Sequence, residues 1–143
     1  MKLCLTFASV VAGFTRFLPQ SDVPKKPFHL NEKIEKEIGY AQAVRIGDTL
    51  YISGSVGAGE MPAAIRESYD ELKKTLAPHG LDFRNVVKEN VFTTDLDAFK
   101  ASKEIQKEYY GMECPADTWV QVQRLYLPKF VVEVELVAVF PKE

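Results

Sequence analysis

The stretch that most constrains the fold is an apolar run near the C-terminus that carries two acids. Residues 131–140 read V-V-E-V-E-L-V-A-V-F. At the two-residue period of a strand, one face is apolar throughout. The other face begins with Glu133 and Glu135 and ends with Val137 and Val139. A solvent-exposed face would be polar throughout, and a face in the core would exclude both acids. This face therefore predicts a subunit interface, a pocket, or both. The alternative is two solvated acids beyond the edge of a buried patch.

Composition narrows the class of protein. The chain has 143 residues, 46% hydrophobic and 27% charged, which is typical of one soluble globular domain. A net charge of -2 argues against a nucleic-acid surface. Two cysteines and two histidines, with no ligand-like spacing, predict neither a disulfide framework nor a metal site. Dinucleotide, P-loop and nucleophile-elbow motifs are also missing.

The N-terminus allows two interpretations. Residues 1–14 read M-K-L-C-L-T-F-A-S-V-V-A-G-F, one lysine followed by an apolar run of signal-peptide length. The run is too short to span a bilayer. A retained structural segment is favoured, which predicts a cytoplasmic protein. Secretion or export to the periplasm is the alternative, if residues 1–13 act as a signal peptide.

The remainder predicts alternating strands and helices. Residues 18–31 hold three prolines and predict an extended linker, so we divide the chain into an N-terminal extension, 1–36, and a domain, 37–143. The predicted strands are 41–46, 49–53, 86–94, 118–125 and 131–140. One helix opens at Pro62 and ends at Pro78, and a second follows Asp95 and ends at Gly111.

The order β-β-α-β-α-β-β predicts an α+β fold, a mixed sheet with two helices on one face. In the strand 86–94, Val87, Val91 and Thr93 are predicted to lie on the same face. In the second helix, Ile105 and Tyr109 are predicted to lie on the face that packs against the core. The uncovered sheet face favours self-association.

Four segments resemble the RidA family, also called the YjgF or L-PSP family. They are E-I-G-Y-A-Q-A-V-R-I-G-D-T-L-Y-I-S-G (37–54), N-V-V-K-E-N-V-F-T-T-D-L-D-A-F (85–99), P-A-D-T-W-V-Q-V-Q-R-L (115–125) and V-E-V-E-L-V-A-V (132–139). The resemblance implies a chorismate-mutase-like fold and a homotrimer with small-molecule pockets in the clefts between subunits. It also implies cofactor-free release of ammonia from enamines or imines.

The resemblance also implies site residues. A water-positioning glutamate falls on Glu135, the catalytic candidate, and pocket-lining positions fall on Tyr40 and Ser53. The arginine that grips a substrate carboxylate is replaced by Asp117, because P-A-R-S of the family is P-A-D-T here. An aspartate would repel that carboxylate and add to the negative field of Glu135. Trp119, on the same side of its strand as Asp117, is expected to narrow or fill the cleft, or to form interface core.

Three classes of function follow. The first is an enamine or imine deaminase whose substrate is not held through a carboxylate–arginine clamp. The second is a small-molecule-binding protein without turnover. The third and weakest is an endoribonuclease, because the chain is slightly acidic and has no histidine pair for phosphodiester chemistry. We expect no nucleic-acid partner and no membrane span.

Overall fold

A computed structural model describes residues 24–142 and confirms the α+β fold with a mixed sheet. The strands are β1 (Lys26–Phe28), β2 (Ala43–Ile46), β3 (Thr49–Ala58), β4 (Val86–Thr93), β5 (Ala116–Gln121) and β6 (Phe130–Val139). The helices are α1 (Glu32–Ile38), α2 (Met61–Leu76), α3 (Leu96–Ala101) and α4 (Glu104–Tyr110). Short 3-10 turns at Ala77–His79 and Phe83–Asn85 lead from α2 into β4.

The six strands form one sheet in the order β1-β2-β3-β6-β4-β5. All neighbours are antiparallel except β4 and β5, which are parallel. The acid-bearing strand β6 is therefore central, between β3 and β4. Helices α2 to α4 cover one side, which we call the helix face. The other side, the open face, is not covered by any described helix.

The N-terminal part of the described chain is more ordered than a linker. Lys26–Phe28 pair with β2, and α1 starts at Glu32 with the Asn31 side chain accepting from Ile34 N. The predicted boundary after residue 36 falls inside α1. The signal-like stretch lies outside the described residues. Among residues 24–142, no helix has both the length and the apolar character needed to cross a bilayer.

Helix α2 supplies most of the helix-side core. Its stripe of Ile65, Tyr69, Leu72 and Leu76 is fully buried against the sheet, as the helical spacing predicts. The helix lies so close to β3 that a β-carbon at Gly57 would overlap the Ala64 carbonyl. The glycine is thus required by a close approach of two backbones.

The second predicted helix is broken in two. Around Ser102 the chain makes i to i−3 hydrogen bonds, Ser102 N to Phe99 O and Ile105 N to Ser102 O. This tighter winding changes the helical phase. As a result Gln106 is buried in α4, whereas Ile105 was expected inward and is only half-buried.

Strand β4 also differs from its prediction. The pairing between β4 and β6 shifts between Val86 and Lys88, and Val87 is 48% exposed instead of lying beside Val91. Glu89 takes the inward position next to Val91 and is fully buried. Strand β5 starts at Ala116, two residues earlier than predicted, and ends at Gln121.

Candidate functional site

Two adjoining cavities lie on the open face. The larger, about 530 Å³, is called the Tyr40 cavity, and its lining includes Tyr40, Ser53, Gly54, Phe130, Glu133 and Glu135. The smaller, about 260 Å³, is called the Lys88 cavity, and its lining includes Tyr51, Ser53, Lys88, Asn90 and Glu135. Because Ser53 and Glu135 border both cavities, the two form one groove across β3, β6 and β4.

A bulge in β3 builds the wall between the cavities. Ile52 pairs with Leu136 and Ser55 with Val134, so Ser53 and Gly54 together face a single β6 residue, Glu135. A bulge of this kind redirects side chains and is common beside functional sites. Here it brings Ser53 to the groove and leaves Gly54 beneath the neighbouring Glu133.

Glu133 is the least restrained acid of the groove. A β-carbon at Gly54 would overlap Glu133 Oε1 and lie 2.6 Å from its Cγ, so only glycine leaves room for this carboxylate. Burial, and secondarily the negative charge of Glu135, raises the pKa of the Glu133 carboxyl. Among residues 24–142 no donor forms a hydrogen bond to it, which leaves its oxygens available to a ligand or water.

Glu135 is held in place. Its Oε1 accepts a 2.8 Å hydrogen bond from Asn90 Nδ2, across the pair of strands in which Asn90 and Glu135 are directly opposite. The Ser53 hydroxyl is also engaged, since its Oγ donates to the Ala41 carbonyl at 2.7 Å. This hydroxyl can therefore only accept a hydrogen bond from a ligand. Both residues, to which the resemblance assigns site roles, line the groove together with Tyr40.

Tyr40 is positioned by a buried acid in α1. Glu35 is 2% exposed, and its carboxylate accepts from the backbone N–H groups of Leu30, Asn31 and Gln42 at 2.7–3.0 Å. Burial opposes ionisation, but these hydrogen bonds and one with His29 outweigh it and lower the pKa of Glu35. The Glu35 carbonyl in turn accepts from Tyr40 N at 2.9 Å, which fixes the Tyr40 backbone at the cavity wall.

Asp117 and Trp119 lie away from the groove within one chain. Asp117 pairs with Glu89 and Trp119 with Val91, both on the helix face, whereas Glu135 lies on the open face. The sheet therefore separates Asp117 from Glu135, and the acidic cleft expected from the sequence is not formed within a single chain. Trp119 instead packs edge-on against Phe99, with ring centroids 5.0 Å apart, and donates its indole N–H to Asp117.

Asp117 belongs to a polar cluster under the helices. Gln106 Nε2 donates to Asp117 Oδ2 at 2.8 Å and also to Glu89, so one amide joins two carboxylates. The Tyr69 and Tyr110 hydroxyls donate to Glu89 as well. Burial, with a contribution from Asp117, raises the pKa of Glu89 to about 7 despite these hydrogen bonds.

Several of these residues were missed by the sequence analysis. Glu89 shares strand parity with Val91 and Thr93, which is a signal for an inward acid. Lys88 and Asn90 have the opposite parity, which matches the open face. Gly54 is the last residue of the 37–54 segment that resembles the family, and no pattern in the sequence indicates its role beneath Glu133.

Comparisons with known proteins agree with this fold. The family model described as Endoribonuclease L-PSP matches residues 31–140. The human 2-iminobutanoate/2-iminopropanoate deaminase is 34% identical over 110 residues, covering 70% of this chain and 79% of the human protein. A RutC family protein of Pyrococcus abyssi is 31% identical over 118 residues, covering 75% and 91% of the two chains.

Solved structures show the same architecture. The crystal structure of a YjgF/YER057c/UK114 family member from Mycobacterium tuberculosis superposes with a TM-score of 0.74 at 26% identity. The match covers 80% of this chain and 98% of that one. With a family model that spans most of the chain and relatives above 30% identity, the protein belongs to the RidA/YjgF family.

Proposed function

We propose that this protein hydrolyses a small enamine or imine in the open-face groove and releases ammonia, with Glu133 as the general base. The observation that carries the proposal is the Glu133 carboxylate, half-buried over Gly54 in a largely apolar cavity and free of donors among the described residues. The name of the human relative, an imine deaminase, supports the same reaction class.

The proposed chemistry needs one water and no bound cofactor. The iminium carbon accepts the water oxygen while the water proton passes to Glu133. The proton then moves to nitrogen, and the C–N bond breaks as the hydroxyl proton passes to Glu133. A carbonyl compound leaves, and the ammonia takes this proton from Glu133 and leaves as ammonium. Burial raises the pKa of the Glu133 carboxyl, so it accepts a proton more readily than an exposed carboxylate does, which suits a group that takes up a proton from water.

The neighbours of Glu133 have distinct proposed roles. Glu135, held by Asn90, keeps a second negative charge beside Glu133 and favours a cationic iminium in the groove. Tyr40 contributes a hydroxyl and an apolar wall. This assignment differs from the one inferred from the resemblance, where Glu135 was the catalytic candidate. Within the described part of the chain Glu135 is bonded to Asn90, whereas Glu133 has no hydrogen-bond donor.

We also propose that the open face is covered by further copies of the chain, in a homotrimer. Support comes from exposed apolar side chains on this face, Tyr51 at 51% and Val139 at 37% exposed, which need a cover that helices α2 to α4 do not provide.

The test measures ammonia release from imines that a second enzyme generates in the assay mixture. A flavin-dependent amine oxidase supplies imines without a carboxylate, and an L-amino-acid oxidase supplies 2-imino acids. We expect faster ammonia release from the first group, since no arginine stands at residue 117, and loss of the acceleration in Glu133→Gln. Groove binding of a ketone product without any acceleration would instead identify a binding protein without turnover.

A further inference from the structure

The ammonium of Lys88 has only neutral partners among the described residues. Its Nζ donates to the Glu89 backbone carbonyl at 3.0 Å and to Thr118 Oγ1 at 2.7 Å. A lysine ammonium has three N–H donors, so one is left over. No ion pair within residues 24–142 includes Lys88. The Lys88 side chain thus borders the Lys88 cavity, and its ammonium, held at Thr118 on the edge of the groove, carries a positive charge that no described acid neutralises.

The nearest acid of the groove does not use this charge. Glu135 borders the same cavity, but its Oε1 is occupied by Asn90 Nδ2. Asn90 lies between them, because Thr118 and Glu135 are its partners on the two neighbouring strands. The ammonium therefore has a donor left for an anion, and a bond to an anion adds a Coulomb attraction that its bonds to the neutral Glu89 carbonyl and Thr118 hydroxyl lack.

The position of Lys88 relative to Glu133 sets the size of such a ligand. Thr118, which holds the ammonium, is level with Asn90, and Glu133 is level with Phe92, two residues further along β4. β5 and β6 flank β4 on opposite sides. From strand rise and spacing, the Lys88 ammonium and the Glu133 carboxylate are on the order of 10 Å apart.

We propose that Lys88 is the anion-binding subsite of the groove and that it takes a carboxylate several bonds away from the carbon that faces Glu133. The identity of that carbon rests on the proposed function; the subsite itself does not. A 2-imino acid carries its carboxylate on the imine carbon and is too short to contact both residues. The groove thus selects imines or enamines with a remote carboxylate over 2-imino acids.

Binding of two ketones by calorimetric titration tests the subsite without any turnover. The probe 4-oxopentanoate has its ketone and carboxylate separated by two methylenes, and 2-oxopropanoate has them adjacent. We expect 4-oxopentanoate to bind the wild type and Lys88→Arg, and to bind Lys88→Met about tenfold or more weakly. The exposed Lys73→Met is the matched control and should bind as the wild type does. We expect 2-oxopropanoate to be insensitive to Lys88→Met.

Several outcomes would overturn the subsite. Equal affinity of 4-oxopentanoate for the wild type and Lys88→Met refutes it, as does a loss in Lys88→Met that Lys88→Arg does not restore. A melting temperature of Lys88→Met equal to that of the wild type shows that weaker binding does not come from unfolding. Lys88-dependent binding without ammonia release from any imine leaves the subsite standing and refutes only the proposed function.

Discussion

The carboxylate of Glu133 occupies the space where a side chain at Gly54 would begin. The bulge in β3 places the glycine there, and the strand β6 supplies the acid. The position of the proposed base thus depends on a residue with no side chain of its own.

Gly54→Ala should displace the Glu133 carboxylate toward solvent with little effect on stability, because the atoms it displaces belong to the free end of a side chain. Displacement of a catalytic group by about 1 Å costs on the order of a hundredfold in rate. Steady-state kinetics and thermal melting measure the two effects. Gly57→Ala is the contrasting variant: its β-carbon meets the Ala64 backbone, so it should lose about 1–3 kcal/mol of stability. A fully active Gly54→Ala would contradict the role of Glu133.

Glu133→Gln and Glu135→Gln should differ in their effects. Removing a general base costs about a hundredfold or more, so Glu133→Gln should abolish most ammonia release. Glu135→Gln should lose less, because its role is to add charge beside Glu133. The exposed Glu104→Gln serves as control. If Glu135→Gln is the inactive variant and Glu133→Gln retains activity, the base is Glu135, as the sequence resemblance implied.

Glu89 should make the folded state less stable as pH rises. The pKa of its carboxyl is about 7 in the folded chain against an ordinary value of 4.5. Between these values the folded state binds the extra proton, so the stabilisation is complete below pH 4.5 and is lost as pH rises through 7. A pKa shift of this size corresponds to on the order of 3 kcal/mol.

Urea unfolding of Glu89→Gln at pH 5 and pH 8 measures this contribution. We expect the variant to gain stability relative to the wild type on going from pH 5 to pH 8, since a neutral amide replaces the buried ion. The exposed Asp97→Asn should show no such trend. A parallel pH dependence of wild type and Glu89→Gln would show that Glu89 is ionised throughout.

Light scattering should give a mass three times that of the 16.1 kDa chain. A lysine on the open face should oppose assembly, because burying an unpaired charge at an apolar interface is costly. We therefore expect Val139→Lys to dissociate the trimer, while Met112→Lys, at a 98% exposed position outside the sheet, should leave it intact. A stable wild-type monomer would contradict the homotrimer.

The central strand and the helix-side core could be predicted because their patterns are local. The alternation in β6 identifies both faces, and the stripe of α2 follows helical spacing. The site depends on non-local pairing. Parity places Asp117 and Trp119 on one side of β5, but only the pairing with Glu89 on β4 decides that this is the helix face.

The bulge at Ser53 and Gly54 was equally hidden from the sequence. It arises from the way β3 and β6 align over their whole length, and it decides that Gly54 lies under Glu133. The break at Ser102 likewise turned Gln106 toward Glu89, which helical spacing alone does not indicate.

The hydrogen bonds of Glu35 bear on how the groove accepts a ligand. The buried Glu35 carboxylate accepts hydrogen bonds from the backbone before α1 and after it. The backbone carbonyl of the same residue accepts from Tyr40 N. The wall of the Tyr40 cavity is thereby ordered before any ligand arrives. Association then costs little conformational entropy in the backbone of this wall, so less of the interaction energy of a small ligand is lost in ordering the protein.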